Sequence, residues 1–286
     1  MKSEKKAKDT KTTEEKPLAE RTKPLWRDVL EVLVSLAVIL VVLRLLLGAN
    51  MPVPLVAVVS CSMLHEDDAI GFLSYGFSQA TGPLFTEGTC VYDAGKNWRA
   101  CIKQRIPNAD IESFPLKSGF SVGDMILVIT PDGGGTILPF FSETKVGDVV
   151  IYSRDERSRG GEPIIHRVIG IVKVRNGQVA GVEGTLDCFS EYEFTNRFIP
   201  SIATCRQGGP CPYKTVPSGD DYDFYLTKGD NNKGSDQCNS ILPIPDSQVI
   251  ARGWIRIPYV GWLKLFLNRI LGLFLGVLAI PFGAFV

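Results

Sequence analysis

Two long apolar segments bracket a central stretch in which apolar residues come in short, interrupted runs. The first segment, Val29–Gly48 (VLEVLVSLAVILVVLRLLLG), is about as long as a helix must be to cross a bilayer. Its charges, Glu31 and Arg44, sit near its two ends, where long side chains reach the interface. The segment has no polar face, which argues against a helix half-buried in a soluble core. It is longer than the apolar region of a cleaved signal peptide and follows a long charged tail, so an uncleaved anchor is expected over 28–48. The second segment, Trp262–Val286, carries only Lys264 and Arg269 as charges. Trp254, Tyr259 and Trp262 lie at its start, as aromatic residues at a membrane interface do. A second spanning helix is expected over 261–286, with a helix lying in the interface as the alternative.

Between these ends the pattern is that of strands. Apolar runs recur at Val53–Val59, Met125–Ile129, Val149–Tyr152, Ile164–Val174, Tyr222–Thr227 and Gln248–Ile257, separated by turns rich in Gly, Pro and Asp. No long amphipathic helix is evident among them. The expectation is a mainly β domain over 49–260, an all-β sandwich or a partly open barrel. Two stretches break the rhythm, 66–120 and 175–221. Both read as loop-like insertions, stapled by cysteines rather than by a core of their own. Val122-Gly123-Asp124 and Val146-Gly147-Asp148 each precede an apolar run, which predicts a turn followed by a strand at both places.

Composition adds a compartment. The 31 basic and 31 acidic side chains balance, so no nucleic acid partner is indicated. Residues 1–27 are polar, with Lys and Arg outnumbering Asp and Glu. They predict a disordered cytosolic tail, and the domain after the anchor then lies outside the cytosol. All seven cysteines (Cys61, Cys90, Cys101, Cys188, Cys205, Cys211 and Cys238) follow the anchor, as expected for disulfides in an oxidising space. The odd number requires at least one that is not paired within the chain. A zinc site is not expected, because there is no C-x-x-C pair and the chain has only two histidines.

Three short constellations carry candidate chemistry. Ser60-Cys61-Ser62-Met63 ends a strand-like run about a dozen residues after the anchor. Serine at such a place is most often a turn residue, and its hydroxyl becomes a nucleophile only beside a base. Ile164-Ile165-His166-Arg167-Val168 places one of the two histidines inside an apolar strand. Thr227-Lys228-Gly229-Asp230-Asn231-Asn232, followed by Asp236, supplies carboxylates that could hold an imidazole in its working tautomer.

The order Ser, His, Asp behind an anchor resembles the type I signal peptidases, in the archaeal and endoplasmic-reticulum branch that uses histidine where bacterial members use lysine. The family's S-x-S-M-x-P box reads Ser60 to His65 here. Its G-D-V-V box reads Gly147 to Tyr152, its H-R-V box His166–Val168, and its K-G-D-N-N-x(3)-D box Lys228–Asp236. The four boxes cover about half of the chain. The resemblance implies a signal-peptidase-like antiparallel β-sheet catalytic domain with N- and C-terminal transmembrane helices. It implies Ser62 as nucleophile, His166 as general base, Asp236 as the acid that orients the histidine and Asp230 as a nearby supporting acid. Ser60, with the Ser62 backbone N–H, would form the oxyanion hole. No cofactor and no metal are implied. Two departures bear on this: His65 stands where the family has proline and is a rival base, and Cys61 stands where a small residue is usual, leaving a thiol nucleophile as a remote alternative.

The function implied is a membrane-bound serine endopeptidase that removes signal peptides from exported preproteins after small-x-small sites. Its partners would be preproteins, membrane lipid and the export machinery. Two other readings stand beside it: a protease of the same fold that processes another precursor, and a non-enzymatic, disulfide-stapled binding module anchored in the membrane.

Overall fold

The computed structural model describes residues 25–47, 54–81, 97–132, 143–154, 163–239 and 241–277. The tail at 1–24, Cys90 and the chain beyond 277 lie outside the described residues. Two units are distinguished, 1–41 and 42–286.

The N-terminal unit contributes most of α1 (Leu25–Leu47). Its described side chains from Trp26 to Ile39 are all exposed. Counted over the described residues, no helix of the chain is long and apolar enough to cross a membrane. The spanning helices expected at 28–48 and 261–286 are therefore helical where described, as α1 and α6 (Val260–Val277), but not shown to span.

The second unit is built on one antiparallel sheet. Its strands are β1 (Leu55–Ala57), β2 (Met125–Ile129), β3 (Val149–Tyr152), β4 (Ile164–Arg175), β5 (Gln178–Gly184), β6 (Tyr222–Lys228), β7 (Ile244–Pro245) and β8 (Val249–Ile257). They lie in the order β1-β2-β8-β3-β4-β6-β7. The long β4 pairs with β6 along one edge, and with β3 and then β5 along the other. A single sheet with β1 and β7 at its two ends excludes the two-sheet sandwich and leaves the open form. Each strand-like run expected from the sequence contains a strand; Met125–Ile129 and Val149–Tyr152 agree end to end, whereas Val53–Val59 is strand only at Leu55–Ala57, with Val53 outside the described residues.

The two Val-Gly-Asp sequences are the same device used twice. Gly123 and Gly147 have φ of 84° and 98°, a region where a side chain is strained, and each turn feeds the next strand. Asp124 and Asp148 then receive Arg256 and Arg252, at 2.8 and 2.9 Å. A register shift in β8 between these two arginines breaks the strand's alternation: Arg256 pairs with Ile126 and Arg252 with Ile129, on opposite faces of β2. Strand β8 is thereby clamped to the start of both of its neighbours, β2 and β3.

The insertions are not the loops expected. Residues 66–120 contain α2 (Ala69–Thr81), α3 (Trp98–Arg105) and a short 3-10 turn at Ile111–Ser113. Residues 175–221 contain β5, then one helical run made of α4 (Glu191–Glu193), a π turn (Phe194–Phe198) and α5 (Ile199–Arg206). Both insertions own a core: Trp98, Ile102, Phe194, Phe198 and Ile202 pack with Val172, Phe224 and Leu226 of β4 and β6. Disulfides do join this framework. Cys188–Cys238 ties the second insertion to the segment after β6, and Cys205–Cys211 closes a small loop. Cys61 is disulfide-bonded as well, and Cys101 is free, consistent with the odd count.

Candidate active site

The candidate residues come from three places that the sheet brings together: the loop after β1, the start of β4 and the turn after β6. The loop Val58–Met63 is held on two sides. On one side Val58 N–H donates to Asp124 O, and Phe120 N–H donates to Met63 O. On the other, Asn231 N–H donates to Ser62 O at 2.7 Å and Asn231 Nδ2 donates to Cys61 O at 3.1 Å. The Ser62 backbone is thus tied directly to the turn that carries the acids. Ser60 and Ser62 are half-buried, and their hydroxyls lie 3.2 Å apart. Cys61 between them is buried and disulfide-bonded, which removes the thiol alternative.

His166 lies on β4 opposite Val150 of β3. Its Nδ1 meets Asp236 Oδ2 at 2.6 Å. A carboxylate can only accept, so Nδ1 carries hydrogen and a neutral ring presents the Nε2 lone pair outward. Asp236 is brought alongside by its own N–H, which donates to Thr227 O. Its Oδ2 accepts from Thr227 Oγ1 at 2.6 Å and from the Tyr152 hydroxyl at 2.9 Å, besides His166. Burial pushes the Asp236 carboxyl up, but the His166 ring and the Thr227 and Tyr152 hydroxyls outweigh it and hold the group below its ordinary range. Burial, reinforced by the Asp236 charge, drives the Tyr152 phenol well above its ordinary value, so it stays a donor.

Asp230, grouped with Asp236 in the sequence, does not meet His166. Both of its oxygens receive Arg167, with Nη2 at 2.8 Å, and Oδ2 also meets His65 Nε2 at 2.7 Å. All three side chains are fully buried. The reason is the two-residue period of a strand: His166 and Arg167 point to opposite faces of β4, and each acid serves one face. Arg167 also donates to Pro115 O and Gly147 O, and its guanidinium lies over the Trp98 and Phe114 rings. Burial alone would raise the Asp230 carboxyl, but Arg167 and His65 pull it well below the carboxylate range. Asp230 is thus the centre of a buried ion cluster that fastens the first insertion to the sheet.

His65, the rival base, belongs to that cluster. Its Nδ1 faces Lys117 O at 3.1 Å, its Nε2 faces Asp230, and its ring stacks on Trp98 with centroids 4.1 Å apart. Both nitrogens are engaged by acceptors, which leaves neither to take a proton from Ser62. Of the two histidines, His166 alone keeps a nitrogen clear of an acceptor.

Gly229 explains how closely the turn approaches the ring. A Cβ built there would stand 2.8 Å from His166 Nε2 and 2.6 Å from Asn232 Nδ2. The fully buried Lys228 braces the same turn from inside, donating to Gly229 O at 2.9 Å. Among the described residues no hydrogen bond joins Ser62 Oγ to His166. Such contacts often close only around bound substrate.

Sequence reasoning missed Tyr152 and Thr227. Both lie within the stretches singled out, Tyr152 at the end of β3 and Thr227 just before Lys228, but an interior Tyr or Thr on a strand reads as packing. Their role yields a prediction. Tyr152→Phe removes one of three donors to Asp236, so kcat/KM is expected to fall by roughly fivefold, about 1 kcal/mol, with KM unchanged. Steady-state kinetics on a small-x-small peptide would check this; an unchanged kcat/KM would mean that the hydroxyl does no positioning. Compared with protein-family models, curated proteins and solved structures, the chain matches none of them.

Proposed function

We propose that this chain is a membrane-bound serine endopeptidase that removes N-terminal signal peptides from exported preproteins after small-x-small sites. The observation that carries the reading is the His166–Asp236 pair beside a serine loop tied to the same turn, with Asp236 buried, ionised and triply hydrogen-bonded. In this reading Ser62 Oγ attacks the scissile carbonyl carbon as His166 Nε2 takes its proton. Asp236 stabilises the imidazolium that forms. The developing oxyanion receives the Ser62 N–H and the Ser60 hydroxyl, which lies within reach of the Ser62 oxygen. Collapse of the tetrahedral intermediate breaks the C–N bond, and His166 returns the proton to the leaving amine. Water, activated by the same ring, then releases the acyl group from Ser62. The anchors expected from the sequence would place the domain on the outer face of the cell membrane, where signal peptides emerge. No metal or cofactor is called for in these steps.

The test is cleavage of a preprotein by the full chain in membranes, against Ser62→Ala. Cleavage at a small-x-small site by the native chain alone supports the reading. Equal cleavage by both chains, or none by either, would sink it. A narrower test follows from the crowding at Gly229. Gly229→Ala forces a methyl against His166 Nε2, so kcat is expected to drop by about 10-fold or more while the fold persists. Full activity of that variant would show that the imidazole has room the structure does not give it.

A further inference from the structure

Helix α2 is packed the wrong way round for a helix in water. Gly71, Ser74 and Ser78 are its buried positions, three and four residues apart on one face. The flank beside that face shows Ile70, Leu73 and Phe77, exposed at 42%, 69% and 51%. A helix on a soluble domain buries its large apolar side chains and shows its polar ones. Nor does any charge interrupt α2 between Ala69 and Thr81.

The small face has specific partners. Ser74 Oγ donates to Val122 O and accepts from Trp262 Nε1 at 2.9 Å, and the Phe77 and Trp262 rings meet edge to face at 4.8 Å. The Tyr259 hydroxyl reaches Ile70 O. So α2 lies against the first turns of α6. There a second stripe, Val260, Leu263 and Leu267, is exposed at 43%, 62% and 47%. Beyond Leu263 the chain carries only Lys264 and Arg269 as charges down to its end. Neither α2 nor α6 carries an acidic residue, and the exposed Lys264 beside the two apolar stripes suits anionic headgroups, so lipid fits this surface.

We propose that α2 and the first turns of α6 form a seat in the lipid interface, with Ile70, Leu73 and Phe77 inserted among the acyl chains. Lying in the interface requires one apolar face, not a spanning length. The seat is coupled to the candidate site through short connections. Asp68, which opens α2, accepts from Arg256 of β8 at 2.8 Å, and α2 starts seven residues after Ser62. Lipid would therefore set the height of the serine loop above the bilayer. That purpose rests on the proposed function; the seat itself does not.

The full chain, reconstituted into vesicles of phosphatidylcholine and phosphatidylglycerol, provides the test. A photoreactive benzophenone side chain is placed at position 73, at 77, or at the exposed Asn196 as a control, and adducts are identified by mass spectrometry. Lipid adducts from 73 and 77, and none from 196, are the expected result. Adducts to protein, or no adducts at 73, would overturn the seat and point to a partner chain or to open solvent. Leu73→Asp is then expected to raise KM several-fold for a membrane-embedded preprotein and to leave cleavage of a soluble peptide unchanged; equal effects on both substrates would also overturn it. Lipid adducts in a chain that cuts no preprotein would leave the seat standing and remove the proposed function.

Discussion

Alanine at Ser62 or at His166 is expected to lower preprotein cleavage by roughly 10⁴-fold or more with little change in stability. Ser62 is half-buried on a loop held by backbone bonds, so losing its hydroxyl leaves Val58–Met63 in place. His166 is mostly buried, and its loss frees Asp236, which still keeps the Thr227 and Tyr152 hydroxyls. The double variant should be no worse than either single one, because a nucleophile and its base act as a unit. The measurement is single-turnover cleavage of a labelled preprotein in reconstituted membranes. Activity that survives in His166→Ala would assign the base elsewhere. His65 is a poor successor, since both of its nitrogens already face acceptors.

The two acids on the turn after β6 should fail in opposite ways. Asp236→Asn is expected to lose activity on the order of 10⁴-fold and keep its fold, because the amide no longer holds the hydrogen on His166 Nδ1. Asp230→Asn should cost about 3–5 kcal/mol of stability, because Arg167 is left buried without its counter-charge beside His65. Urea unfolding in detergent, paired with peptide kinetics, separates the two. A stable but inactive Asp230→Asn would return Asp230 to the chemistry. The pH dependence follows from the same cluster. Asp230 is held well below its ordinary range in the fold, so its ionised form favours the native state. That contribution is whole above about pH 4, where the unfolded carboxyl is already ionised, and drains away as pH falls towards the native value. The native chain should therefore lose stability below about pH 4, and Asp230→Asn should lose less across the same window.

Much of the sheet was legible because strands buried on both faces read as short, nearly continuous apolar runs. Met125–Ile129 and Val149–Tyr152 announce themselves as short apolar runs between turns, and the Val-Gly-Asp repeats mark where two of the strands begin. The insertions were not legible in the same way. Helix α2 contains Gly71 and Gly76 and an outward apolar face, so neither propensity nor amphipathic pattern announces it. It forms because Ser74 and Phe77 find Val122 and Trp262, partners far away in the sequence.

The candidate site divides along the same line. Serine loop, histidine strand and acid turn could be read from short boxes, since each is a local pattern. Which acid meets which base could not, because Asp230 and Asp236 share a turn and differ only in the face they reach. The alternation of His166 and Arg167 on β4 turned one towards Asp236 and the other towards Asp230. His65 looked like a possible base because its sequence neighbours do not show that it is stacked on Trp98, more than thirty residues away. Local pattern determined the strands and nominated the residues. Pairing across the sheet, and the burial it creates, decided which charges were neutralised and which nitrogen was left with a lone pair to use.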